Sequence, residues 1–230
     1  MKRFFRRHAT LWMLIGFCLL LGLFLSLRTG IFFTGRNLIN ILEANSFKLL
    51  LAIGMTFVIA SGGIDLSVGS ILSLSAIFTA LCMKQNIPVW LAILVGLLSG
   101  ILMGLINGAL IHFTGINAFI ITLGTSFLYR GLALIVTRGT PVSKLPAAYR
   151  AFGGGDIFQV ESGVYMALLV LLLSIPLLYK MRWGHYITTL GGNPVALRRC
   201  GVRTGTWRIS TFAVMGFLAA LAGIIISARL

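Results

Sequence analysis

Apolar residues in this chain fall into long unbroken runs instead of the short rhythms of a soluble fold. Segments 9–27, 49–64, 66–83, 85–111, 113–129, 162–179 and 209–228 contain no Asp, Glu, Lys, Arg or His. Most approach the roughly 20 residues that an α-helix needs to cross a bilayer, so the pattern predicts about seven spans. The strands of a membrane barrel alternate polar and apolar residues over segments of roughly 10; a run such as "LLVLLLSIPLL" at 168–178 does not alternate. Backbone polar groups in lipid must be satisfied internally, which leaves a helix bundle. The expected fold class is all-α, a polytopic transmembrane bundle forming one domain over 1–230, with 180–208 as a loop outside the lipid.

Composition agrees with the pattern. The 230 residues are 58% hydrophobic and only 10% charged, and the mean hydropathy is +1.02, whereas soluble domains carry about 25% charged residues. The start, "MKRFFRRH", precedes an apolar run in the manner of a secretory leader. That run is long for a leader and no small-x-small cleavage site follows, so a retained first span is expected.

Charge then orients the bundle. Of the 19 basic residues behind the net charge of +15, ten lie in two places: Lys2, Arg3, Arg6 and Arg7, and Lys180, Arg182, Arg198, Arg199, Arg203 and Arg208. Basic clusters beside spans mark the cytoplasmic side, and six predicted spans separate these two, which puts both on one face. The N-terminus is therefore expected in the cytoplasm and 138–163 on the outer face. The charge reads as topology, and no nucleic-acid partner is expected. Cys18, Cys82 and Cys200 are far apart, and His8, His112 and His185 lack ligand spacing. These point to no disulfide framework, no metal, no catalytic residue and no cofactor bound by this chain.

Three local constellations carry chemistry. Gly96, Gly100, Gly104 and Gly108 recur every four residues in "GLLSGILMGLING", forming a shallow groove that either packs closely on another helix or lines a pathway. Beside them, Asn107 reads equally as an interhelical hydrogen bond or as a contact with solute. In "TTLGGNPVALRRCGVRTGTWR" (188–208), Asn193 suits an N-cap, Pro194 the first helical position and Gly201 the left-handed stop. A short helix at 194–200 follows, resting on its own bundle, on a partner protein or on anionic lipid headgroups. The stretch "SGGIDLSVGS" (61–70) places two glycines where a helix breaks and Asp65 where an N-cap belongs, with Ser67 in the next first turn. Asp65 reads as a structural cap at the interface, or as a functional carboxylate if it stands at membrane depth. Arg130, in "SFLYRG", snorkels to the interface or faces a pathway.

The blocks "GMTFVIASGGIDLSVGSILSL" (54–74), "NAFIITLGTSFLYRGLALIVTRGTPV" (117–142), "FGGGDIF" (152–158) and "LGGNPVALRRCGV" (190–202) resemble, in order, the membrane-spanning permease of ribose-type bacterial ABC importers. The resemblance implies a type II importer permease in the bacterial inner membrane. It implies a cytoplasmic ABC ATPase that uses ATP and Mg and grips a short helix between spans six and seven, a second permease copy, a soluble sugar-binding protein outside, and surrounding membrane lipid. By position, Asn193, Pro194, Ala196 and Gly201 fall on the ATPase-docking pattern, and Gly62, Gly63, Asp65, Ser67, Gly69 and Ser70 on the glycine-aspartate block, with Asn107 and Arg130 as further pathway candidates. Leu197, Cys200 and Val202 depart from the family pattern, and the larger Leu197 is expected to alter how closely the ATPase packs. Family members continue for about three further spans, so a truncated product or a fragment is expected. The function implied is ATP-driven uptake of a monosaccharide or similar small solute. The alternatives are a remnant that only associates with the ATPase or a full-length permease, and an ion-coupled secondary transporter.

Overall fold

The computed structural model of the chain describes residues 9–229; Lys2, Arg3, Arg6 and Arg7 lie outside the described residues. Two compact units divide it, Met1–Ala44 and Asn45–Leu230. In the first, α1 (Ala9–Thr29) ends at Gly30, whose φ of 65° closes the helix. The following turn folds back on α1: a side chain at Gly22 would meet the Phe32 ring at 3.1 Å. Asn37 Nδ2 donates to the Phe32 carbonyl at 2.8 Å, tying the turn to the start of α2 (Gly35–Ala60).

The second unit continues α2 and adds α3 (Val68–Lys84), α4 (Val89–Thr114), α5 (Ala118–Thr137), the short α6 (Ala147–Gly154), a two-residue hairpin of β1 (Asp156–Ile157) and β2 (Val160–Glu161), α7 (Ser162–Tyr179), α8 (Arg182–Gly192), α9 (Pro194–Arg199) and α10 (Thr204–Arg229). Among the described residues, α1, α2, α4, α5, α7 and α10 are long and apolar enough to cross a membrane, whereas α3 is a shorter apolar helix of 17 residues. The seven expected spans thus become six of full length and one about a turn short of the roughly 20 residues a span needs. The second span also differs in its bounds. It starts at Gly35, carries Glu43 and Lys48 within the helix, and stops at Ala60. Twenty-six residues make a helix of about 39 Å, longer than the hydrocarbon layer of about 30 Å, so its charged turns need not interrupt it.

α10 is the axis of this unit. Phe212, Met215, Ala219, Ala220, Ile224 and Ile225 are all at most 2% exposed. The glycine row of α4 lies along it. A side chain on Gly100 would collide with Ala220 and with the Gly216 carbonyl, one on Gly104 with the Phe212 carbonyl, and one on Gly108 with the Ile209 Cα at 2.7 Å. Gly216 of α10 meets the Gly100 backbone in return. Gly96 differs, since its new side chain would run into Thr79 of α3. The seam works because backbone replaces side chain on both helices, so dispersion contacts form at close range.

Contacts define two ends of the second unit. At one, Tyr149 Oη of α6 lies 3.1 Å from the Ile224 carbonyl and 2.6 Å from Ser227 Oγ, and Arg229 pairs with Glu161 at 2.8 Å. Burial pushes the Tyr149 phenol above its ordinary range, against the opposing pull of Ser227, so it stays a donor. At the other end lie the 61–67 break, the start of α5, the close of α4 and the start of α10, where Gly205 packs on His112. The basic loop carrying α8 and α9 belongs to this second end. The α6 helix and the hairpin were not foreseen in the segment expected to be an outer loop.

Candidate functional site

The 61–67 break begins with a helix stop. Gly62 adopts φ +81°, its N–H bonds to the Ile59 carbonyl at 2.9 Å, and the Gly63 N–H reaches the Val58 carbonyl at 3.0 Å. This is the paired closure in which a left-handed glycine satisfies the last carbonyls of a helix. The chain then passes α5, where the Thr122 hydroxyl accepts from Leu66 N–H at 3.1 Å and donates to Ala118 of its own helix at 2.7 Å.

Asp65 is not the N-cap of α3. Ser67 holds that position without a capping bond, and the helix starts at Val68. Asp65 Oδ1 instead accepts from the Ser67 N–H at 2.8 Å and the Ser67 hydroxyl at 2.6 Å. An aspartate bonding its own backbone two residues on makes a turn of its own, in competition with helix, which delays α3. The Ser67 oxygen accepts from Asn107 Nδ2 at 2.7 Å, and Asn107 Oδ1 stands 3.2 Å from the Tyr129 hydroxyl. Ser70 Oγ donates to the Ser67 carbonyl at 2.7 Å. One polar knot therefore joins the break to α3, α4 and α5.

This knot is buried. Asp65 is 1% exposed, Ser67 and Asn107 are 0%, and Tyr129 is 3%. Asn107 stands two turns before the end of α4, about 10 Å along the helix, so the knot lies inward from the α4–α5 turn. Both polar atoms of the Asn107 amide are engaged between helices in this conformation. Asp65 Oδ2 is buried with no hydrogen-bond partner among the described residues. An unpaired buried acceptor costs about 1–3 kcal/mol, and more when charged.

Other predicted residues lie apart from the knot. Gly69 faces open space, and Gly63 fits between Phe212 and Val58. Arg130 follows the buried Tyr129 but is exposed, about 100° around α5, on a face it shares with the exposed Phe127 and Leu134. A small cavity of about 170 Å³ opens beside the break, lined by Ser61, Gly62, Gly63, Asn117, Arg208 and Phe212 among others.

The predicted short helix is α9. Asn193 Oδ1 accepts from Ala196 N–H at 2.9 Å, Pro194 opens the helix, and Gly201 follows with φ +77°. Asn193 and Gly201 are exposed and Ala196 is half-buried. Leu197 corrects an expectation. It is 5% exposed, so it anchors α9 to its own bundle and leaves the outward face to other residues. α8 seats the motif: Ile187 and Leu190 are buried, the Trp183 indole stands edge-on to Phe57 at 5.1 Å, and its N–H donates to Ser210 at 3.1 Å.

Three residues of the site escaped sequence reasoning. Thr122 and Tyr129 lie two turns apart on α5, a polar stripe in an apolar helix that was readable but unremarked. Gly191 was hidden inside the "LGGNP" block. A side chain there would strike the Ala60 carbonyl and lie 2.8 Å from the Gly62 nitrogen.

A bundle of long apolar helices with a buried polar knot and a capped short helix in a basic loop defines a multi-pass membrane protein. Residues 37–230 match the family model described as branched-chain amino acid transport system / permease component, and the chain belongs to that family. It is 36% identical over 203 residues to the ribose import permease protein of Haemophilus influenzae, covering 86% of this chain and 63% of that one. It is 33% identical over 228 residues to the D-allose transport system permease protein of Escherichia coli K12, covering 99% and 69%. With the autoinducer 2 import system permease protein of Yersinia pestis (strain Pestoides F) it shares 34% over 199 residues, covering 86% and 57%. The chain thus spans about 63% of the length of the Haemophilus influenzae and Escherichia coli K12 ribose permeases it matches. No solved structure matches it.

Proposed function

We propose that the chain is the permease subunit of an ATP-driven importer for a monosaccharide or a similar small sugar-like solute. The observation that carries this reading is α9, a capped helix between α7 and α10 in a loop whose six basic residues include Arg198 and Arg199. Basic loops face the cytoplasm, which supports α9 as the contact for a cytoplasmic ATPase and a cytoplasmic N-terminus in a bacterial inner membrane. Import permeases for ribose, D-allose and autoinducer 2 among the relatives support the substrate class. ATP and Mg are bound and used in the ATPase, and a second permease copy completes the pathway. Solute reaches the pair from a soluble binding protein at the end that carries α6 and the hairpin. Spans with few charges suit weak binding, which lets solute leave. Asp65 serves as part of the structural knot.

The test co-expresses the chain with its ATPase. Ala196→Arg and Gly201→Asp, both on the docking motif, are expected to abolish ATPase co-purification and uptake while the protein still accumulates in the membrane. Unchanged ATPase capture by both variants would refute the docking role. Co-purification without uptake by the unaltered chain would favour association alone, and proton-coupled uptake without ATPase would favour a secondary transporter.

A further inference from the structure

We propose that the Gly62–Gly191 contact is the joint through which α9 moves the Asp65 knot. It rests, for its transport arm only, on the reading of α9 as an ATPase dock. The two glycines meet backbone to backbone: a side chain on Gly62 would lie 3.2 Å from the Gly191 Cα, and one on Gly191 would strike the Ala60 carbonyl. No side chain intervenes to cushion movement between α8 and the break. On the α8 side, the lever is continuous. The Asn193 N–H bonds back to the Thr189 carbonyl at 2.8 Å, while the Asn193 side chain holds α9 at Ala196. Displacing α9 therefore pulls on the last turn of α8, where Gly191 sits.

On the other side, Gly62 is three residues from Asp65, and the segment between them lies outside helix and strand. Its Gly63 N–H closes α2 on the Val58 carbonyl, Thr122 holds it at Ile64 and Leu66, and Asp65 ties it to Ser67. Asp65 Oδ2, buried and without a hydrogen-bond partner among the described residues, shows that the knot is not fully satisfied in this conformation. A shift at Gly62 thus acts on a group that gains by rearranging, and the knot in turn ties α3, α4 and α5 together. Coupling between two sites is carried by an element whose equilibrium both sites bias; the contacts from α9 through Gly191 and Gly62 to Asp65 are the path we assign to it.

Hydrogen–deuterium exchange on the full chain in lipid nanodiscs tests the joint without an ATPase. Asn193→Ala removes the side chain that caps α9. Exchange across 61–67 is expected to rise roughly fivefold or more, the lower range of coupling between linked sites, while the α4–α10 seam stays protected. Unchanged exchange at 61–67, or an equal rise at the seam, would overturn the proposal. The transport arm compares Gly191→Ala with Gly192→Ala, because a side chain at Gly192 meets nothing within 4 Å. With ATPase capture retained, Gly191→Ala is expected to lower uptake per ATP hydrolysed by about five- to 150-fold, and Gly192→Ala to leave it unchanged. Equal coupling in the two variants would overturn the joint. Failure of the unaltered chain to capture any ATPase refutes the importer reading instead, and the exchange experiment still decides the joint.

Discussion

Two backbone-to-backbone glycine contacts in this protein differ in mechanical character. Along the α4–α10 seam, Gly100, Gly104 and Gly108 face Gly216 and the backbone around Phe212 and Ile209, so helix meets helix at several levels. At Gly62 and Gly191, a left-handed turn touches the end of a short helix at one place, and both glycines remain solvent-exposed in part. A seam registered at three levels over about two turns can move only by breaking several contacts together. A single contact between a loop and a helix end can shift while the α4–α10 seam stays packed. Close approach alone therefore does not make a rigid joint; the number of registered contacts does.

The largest expected effect comes from breaking the seam. Gly104→Leu forces a side chain against the Phe212 carbonyl, and the cost exceeds the roughly 1–3 kcal/mol of ordinary overpacking because backbone cannot swing aside. Loss of membrane accumulation and of a thermal transition in detergent is expected; a stable protein would show that the seam is as adjustable as the Gly62 contact. Next is Asn107→Leu, which removes the donor to the Ser67 oxygen and one of two acceptors near the Tyr129 hydroxyl, leaving Ser67 on Asp65 and Tyr129 on the Met103 carbonyl at 3.1 Å. A loss of about 1–3 kcal/mol is expected, read as a lower thermal midpoint with the protein still folded. No change would separate the knot from the seam it borders.

Smaller effects test whether the two ends behave differently. Glu161→Gln removes the partly exposed pair with Arg229, and a loss of about 0.2–1 kcal/mol is expected, with uptake unaltered. A large loss of uptake would move mechanical weight to the end bearing α6. Gly192→Ala is expected to raise stability slightly, by at most about 0.5–1 kcal/mol for a glycine replaced in a helix, measured by the same thermal midpoint. Destabilisation there would mean that the whole "GG" pair, and not Gly191 alone, is closely packed.

Much of the helix chemistry was legible before any coordinates. The caps of α9 were readable because Asn193, Pro194 and Gly201 act through their own backbone and its nearest turns, and those interactions do not depend on distant residues. The α4 glycine row was readable for the same reason, since spacing along one helix sets its face. Asp65 shows where such reading stops. Its local pattern suited an N-cap, but the carboxylate turned to Ser67, and Ser67 was claimed by Asn107, 40 residues away. Leu197 misled in a similar way, because a six-residue helix carries too short a pattern to show which side is buried.

By itself, the sequence determined that this protein is a helical membrane bundle of the permease family, with a capped helix in a basic loop and a helix break at 61–67. Run length, charge placement and motif order carry those conclusions, and each is a property of contiguous chain. Only the tertiary structure decided that α10 is the axis, that Asp65, Ser67, Asn107 and Tyr129 share one buried knot, and that Gly191 touches Gly62. These are contacts between segments far apart in the chain. Which partners satisfy a buried polar group, or which backbone needs a missing side chain, depends on how the helices pack and on nothing local.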